Sequence, residues 1–190
     1  LYERQVTSGL GQHIDVSAQH SMNQCTQSMS LATPLGATPP TRLAGGVELG
    51  GIRIQVMWPC ADGYASVSFL FGPSFGPFTK NLMTWICEEG FCDEATRDKD
   101  WVDYAMMLLD GRESRDEYQR VRDVLTEFFA TKTKAELLEA AMTRRLLITP
   151  VTTTEEVVNS EQLDFRNYWE MVEHRDGSTV AYPGAFAKFA

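Results

Sequence analysis

Between residues 52 and 148 the apolar positions recur with two periods. Ile52, Ile54, Val56 and Trp58 alternate with Arg53, Gln55 and Met57, and beyond Asp62-Gly63 a second run sets Ala65, Val67 and Phe69 on one side. Two alternating runs around a turn dipeptide predict a β-hairpin. Gly72-Pro73-Ser74 stops the second strand. The spacing of Phe75, Phe78, Leu82, Trp85 and Ile86 then predicts a helix that ends at Gly90. The polar stretch from Asp93 to Asp100 reads as a loop before Trp101, and Val102, Ala105, Met106 and Leu109 continue as another helix. Tyr118, Val121, Val124, Leu125, Phe128 and Phe129 form the clearest amphipathic helix of the chain. Thr133 with Glu136 is a capping-box pair that opens a helix through Leu137, Leu138, Ala141 and Met142, and Thr153 with Glu156 opens a short one around Val157 and Val158.

Upstream the pattern changes. Leu1 to Gly11 reads as a helix end and a glycine-punctuated loop leading into a β-branched strand, Ile14-Asp15-Val16. Ser17 is positioned as an N-cap, and Met22, Cys25 and Met29 follow at helical steps. His20 therefore sits in the first turn of a helix at the C-terminal end of a strand, where open α/β sheets gather ligands. From Ala32 to Gly51 the chain is rich in Pro, Gly and Thr and too poor in periodic apolar residues to be an element. The order predicts two unequal units, a strand and helix followed by a linker and then an α+β unit.

Composition narrows the function. The chain has 190 residues, 43% hydrophobic and 23% charged, with no apolar run near the roughly 20 residues of a membrane helix. A net charge of −9 argues against nucleic acid or an anionic membrane surface as partner, because both need a basic face. Four cysteines, Cys25, Cys60, Cys87 and Cys92, are too few for a disulfide scaffold, so reduced thiols and a cytoplasmic location are expected. Cys87 and Cys92 lack a second ligand pair and the three histidines are scattered, so no metal site is expected. The chain opens on Leu1 and closes on an apolar run, which reads as an internal fragment of a longer protein.

The segment Gly11-Gln12-His13-Ile14-Asp15-Val16-Ser17-Ala18-Gln19-His20 resembles the nucleophile segment of the family III coenzyme A transferases, the formyl-CoA and carnitine-type enzymes. Further signals follow in the family's order. They are Cys60-x-Asp62-Gly63, the run from Phe128 through Arg144-Arg145-Leu146 to Pro150-Val151, Gln162-Leu163-x-x-Arg166-x-Tyr168, and finally His174, Gly177 and Tyr182-Pro183-Gly184. The resemblance implies an α/β fold in which residues 1–31 are part of a Rossmann-like large domain, 32–51 a linker, 52–165 a small α+β domain of hairpin plus helices, and 166–190 a linker returning to the large domain. It implies acyl-CoA and carboxylate substrates, a coenzyme A thioester with no covalently bound cofactor, and an interlocked homodimer at full length.

In that family the residue after the Gln is an acidic nucleophile; here it is His20. A carboxylate is already ionised at neutral pH, and the mixed anhydride it forms with an acyl group stays open to thiolate attack. An imidazole can also attack a thioester, but its acyl adduct hydrolyses readily unless water is excluded. Three readings of His20 stay open: nucleophile or general base, helix-start residue of a paralogue without activity, or a substitution whose site another residue completes. Asp15 is weighed as a catalytic substitute against a buried or capping acceptor, the reading preferred, His13 as surface or as its pair, and His174 as turn surface. Gly72 to Pro77 is one place where a loop over the site is expected, against plain strand termination, and Glu88 to Asp100 one place for a catalytic acid, against a solvated loop. The function expected first is transfer of coenzyme A between carboxylic acids. The alternatives are an α-methylacyl-CoA racemase-like isomerase, for which a histidine base is natural, and an inactive paralogue acting as a dimerisation or binding module. Basic residues for the coenzyme A phosphates are expected mostly outside the fragment.

Overall fold

The alternating runs around Asp62-Gly63 form the expected hairpin, β3 (Met57–Cys60) and β4 (Gly63–Val67), in register Met57↔Ser66 through Cys60↔Gly63. A third strand, β5 (Ile148–Pro150), pairs with β4 on its other side, Val67 opposite Ile148. The computed structural model describes residues 2–18, 21, 34–36, 43–49 and 52–185. These fall into two compact units, Leu1–Ala44 and Gly45–Ala190.

In the first unit a π-helical turn, Glu3–Ser8, ends at Gly9 in the left-handed region. The strand expected over Ile14-Asp15-Val16 does not form. Residues 10–17 carry no regular secondary structure, and Ile14 and Val16 are 72% and 70% exposed. A strand cannot satisfy its own backbone groups as a helix does, and no described segment offers residues 10–17 a ladder. The helix start expected after Ser17 is marked by a bond from the Ser21 N–H to the Ser17 carbonyl, 3.0 Å. Met22, Cys25 and Met29, expected along that helix, lie outside the described residues, as does His20.

Part of the stretch expected to be linker is a strand. β1 (Gly46–Leu49) pairs antiparallel with β2 (Ile52–Gln55), Gly46 opposite Gln55. Gly46 is glycine for a steric reason: a Cβ there would lie 2.5 Å from the Ile54 carbonyl oxygen. The single alternating run expected from Ile52 to Trp58 is broken at Val56, where the Gly45 carbonyl accepts from both the Val56 and Met57 N–H groups at 2.8 and 3.1 Å. The break separates β2 from β3 and places the two in different sheets.

The helices follow as α1 (Gly76–Glu88), α2 (Glu94–Arg97), α3 (Tyr104–Asp110), α4 (Arg115–Ala130), α5 (Lys134–Arg144), α6 (Thr154–Val158) and α7 (Glu161–Phe165). Gly90 ends α1 as expected. At φ 82 it lets its own N–H return to the Cys87 carbonyl and the Phe91 N–H to the Ile86 carbonyl, a Schellman closure. Both capping boxes are formed, Thr133 with Glu136 and Thr153 with Glu156. The loop expected over Asp93–Asp100 contains α2, because the Asp93 carboxylate accepts from the Thr96 N–H at 2.8 Å and starts a turn.

Trp58, Ala65 and Val67 from the strands and Phe69 just beyond β4 meet Met83 and Ile86 of α1, Val121, Leu125, Phe128 and Phe129 of α4 and Leu137 of α5, all essentially buried. Trp58 meets Phe129 edge-on at 5.6 Å and Trp85 meets Phe128 at 4.7 Å, so aromatic edges and faces carry much of the packing. Two helices bury a different face from the one expected. Around α3 the core takes Trp101, Tyr104 and Leu108 and leaves Val102, Met106 and Leu109 exposed. On α5 it takes Leu137 and Ala140 and leaves Leu138 and Met142 exposed. Residues 166–185, expected as a returning linker, contain a hairpin, β6 (Trp169–Glu173) with β7 (Thr179–Pro183).

Candidate functional site

The segment that carries the family resemblance is open to solvent wherever it is described. Residues 11–18 are exposed, His13 and Asp15 among them, so the buried acceptor expected at Asp15 is not observed. His20, the candidate catalytic residue, lies outside the described residues, and no geometry attaches to it.

In the second unit the resembling residues are tied into structure. Asp62 of the hairpin turn accepts from the Lys134 N–H at 2.8 Å, adding a second acceptor to the first turn of α5, and takes the Cys60 thiol at 3.5 Å. Burial pushes the Cys60 thiol up. His174 stands where β6 enters its turn: its N–H donates to the Ser178 carbonyl at 2.8 Å, and its ring lies 3.2 Å from the Tyr182 hydroxyl. It belongs to the exposed turn expected of it.

The Gly72–Pro77 stretch does not stop the strand as expected, since β4 ends at Val67; it is a closed turn that leads into α1. The Gly76 N–H returns to the Gly72 carbonyl at 2.7 Å. A Cβ on Gly76 would lie 2.9 Å from the Trp101 carbonyl oxygen and the Val102 nitrogen, so the turn is docked against the start of the α3 region. The acids of Glu88 to Asp100 are likewise engaged. Arg97 first, then Lys80, hold Asp98 far below the usual carboxylate range, and the bonds from Thr96 lower Asp93. Asp100 accepts from the Val102 and Asp103 N–H groups at 3.1 and 3.0 Å. A general acid at neutral pH needs a raised pKa, so Asp93 and Asp98 are suited to holding loops rather than donating protons.

Sequence reasoning missed a half-buried charge network beside α4. The Lys99 ammonium reaches Glu113 at 2.6 Å and Glu117 at 3.1 Å, Glu117 also takes Arg120 at 2.7 Å, and Arg120 reaches the Thr96 hydroxyl at 2.7 Å. Arg120, then Lys99, outweigh burial and hold Glu117 at about 2. Burial works to lower Lys99, and its bonds to Glu113 and Glu117 overcome it. The partners are 14 and 18 residues from Lys99 in sequence, with no motif linking them. The network joins the segment before Trp101 to the start of α4, which is a structural task.

A shallow groove of about 250 Å³ runs along α1 and α5, with Trp85 at its floor. Lys132 and Arg144 lie over the Trp85 ring at 5.6 and 5.5 Å, each also paired with an acid, Glu89 at 2.8 Å and Glu88 at 2.6 Å. The cations are neutralised where they stand, so the groove offers an anion little. Among the described residues no three His, Cys, Asp or Glu side chains converge as metal ligands would, and no helix is long and apolar enough to cross a membrane.

Among curated proteins the chain is similar to the succinyl-CoA:(R)-benzylsuccinate CoA-transferase subunit BbsE of Thauera aromatica, 28% identical over 192 residues; the match covers all of this chain and 44% of that protein. The chain thus spans less than half the length of this relative. Among solved structures it is similar to Rv3272 from M. tuberculosis in an orthorhombic crystal form, with a TM-score of 0.57 and 15% identity over 99% of this chain and 44% of the other. An aspartate-to-alanine mutant of the same protein gives a TM-score of 0.55 and 16% identity over 99% and 43%. At these identities the structures speak for the mixed α/β fold alone. The model of CoA-transferase family III matches residues 1–190, and the chain belongs to that family.

Proposed function

We propose that the protein takes part in transferring coenzyme A between carboxylic acids, with His20 at the position of the family's acidic nucleophile. The observation that carries this reading is the family match from the first residue to the last, together with the Gly11–His20 segment inside it. The curated relative's name supplies the first substrates to assay, a succinyl-CoA donor and an aromatic dicarboxylate acceptor. In the full-length protein, the reaction needs a side chain that accepts the acyl group and returns it to a thiolate. His20→Asp restores such a carboxylate and is expected to raise the transfer rate by about tenfold or more. No gain, with the fold intact by circular dichroism, counts against His20 as the nucleophile position. Exchange of solvent deuterium into the α-carbon without transfer would instead mark the imidazole as the base of an isomerase.

A second reading is favoured by two observations: the relative is named as a subunit, and this chain has no carboxylate at position 20. On this reading the chain is the non-nucleophilic member of a mixed assembly. His20→Asp is then without effect, and activity appears only when a homologous chain carrying the acidic residue is added.

A further inference from the structure

Two thiols outside the transferase reading are brought together at the end of α1. Cys87 lies one helical turn after Met83 in α1, so regular i to i−4 geometry directs its N–H to the Met83 carbonyl. The chain then reverses at Gly90, the Phe91 N–H returns to the Ile86 carbonyl at 3.0 Å, and the Cys92 sulfur reaches that same Met83 carbonyl at 3.9 Å. Phe91, between the two, is anchored edge-on against Phe128 at 5.3 Å, so the reversal is fixed by the core. Both cysteines are free and only partly buried. Burial first, then the neighbouring Cys87 thiol, push the Cys92 thiol up to about 11.

We propose that Cys87 and Cys92 are a redox dithiol that closes to an intramolecular disulfide by exchange with a small-molecule disulfide. The Cys87 thiolate attacks one sulfur of the oxidant R–S–S–R, whose S–S bond breaks and releases RS⁻. Cys92 gives its proton to solvent base and attacks the Cys87 sulfur of the mixed disulfide, releasing a second RS⁻. Two protein thiols are oxidised by two electrons, and the oxidant is reduced to two molecules of RSH. Cys87 acts first because burial disfavours the thiolate of Cys92. The product is a covalent clasp over Glu88–Phe91 that pins the residue preceding the Asp93 cap of α2.

The test treats the whole protein with oxidised glutathione at about pH 8, where an ordinary thiol is partly ionised. Remaining thiols are alkylated, the chain is cut with a glutamyl endopeptidase between the two cysteines, and the pieces are mapped by mass. The expected result is that the Cys87 and Cys92 peptides stay joined until reduced. Cys92→Ser is expected to trap glutathione on Cys87, and Cys87→Ser to leave Cys92 modified about tenfold more slowly than Cys87 is in the other variant. Recovery of Cys87 and Cys92 separately alkylated from protein whose Cys60 carries glutathione overturns the proposal, as does a Cys92→Ser protein with no adduct on Cys87.

Discussion

Val67 and Ile148 on one side, and Ile14 and Val16 on the other, are equivalent as sequence: β-branched residues in short alternating runs. In the structure Val67 and Ile148 are 1% and 5% exposed and face each other across β4 and β5, whereas Ile14 and Val16 are 72% and 70% exposed in a segment without a ladder. Alternation states that a segment is able to be a strand; pairing decides whether it is one. The difference predicts a large asymmetry in the 190-residue chain. Phe128→Ala, which empties a fully buried ring site beneath Trp85 and Phe129, is expected to cost about 3–5 kcal/mol in urea unfolding. Ile14→Ala is expected to stay within about 0.5 kcal/mol of the parent, as surface substitutions do. A loss of about 2 kcal/mol or more at Ile14 would mean that the motif packs against something and would erase the contrast.

The same contrast explains what was legible in the sequence. The Asp62-Gly63 hairpin, the Gly90 stop, α4 and both capping boxes were readable because each is set by contacts within a few residues. The faces of α3 and α5 were not. Val102, Met106 and Leu109 compete at helical spacing with Trp101, Tyr104 and Leu108, and the core took the set with the larger aromatic surfaces. On α5 adjacent leucines, Leu137 and Leu138, offer two registers, and the one whose next turn presents small Ala140 lies inside. β1 was hidden by its glycines, which signal a linker in composition and a close backbone approach in three dimensions. Of the candidate site, Asp62 and His174 proved to be turn residues, while His20 falls where the structure gives no description.

A second way to sharpen the comparison is the charge network, which helps hold the Trp101 end of the core shut. Lys99→Met leaves Glu113 and Glu117 facing each other across a partly buried gap and is expected to cost about 2 kcal/mol, short of a fully buried pair because solvent reaches its rim. Acid should act through the same residues. The carboxyl of Glu117 lies at about 2 when folded, below its unfolded value near 4.3. Its contribution is therefore fully present above the unfolded value and is lost as pH falls through the folded one. Glu117→Gln should flatten the stability curve between about pH 4.5 and pH 2 while lowering stability by about 1 kcal/mol at neutrality. An unchanged acid slope in that variant would locate the acid sensitivity elsewhere.

The smallest expected effect is the most discriminating, because it sets one motif against itself. Thr133 and Thr153 make the same capping box, each side chain accepting from the N3 amide while a glutamate returns to the cap N–H. They differ in what the helix buries. α5 places Leu137 and Ala140 in the core, whereas α6 buries no residue, and Val157 and Val158 are exposed. Thr133→Ala should therefore lower global stability by about 1 kcal/mol, since losing the cap strains a helix on which the core depends. Thr153→Ala removes the hydroxyl that accepts from the Glu156 N–H, on a helix that opens locally without exposing apolar core. Its midpoint in urea should not move, while amide exchange speeds up within α6 alone. Equal midpoint shifts for the two variants would show that α6 is coupled to the cooperative core and would erase the contrast between the two boxes.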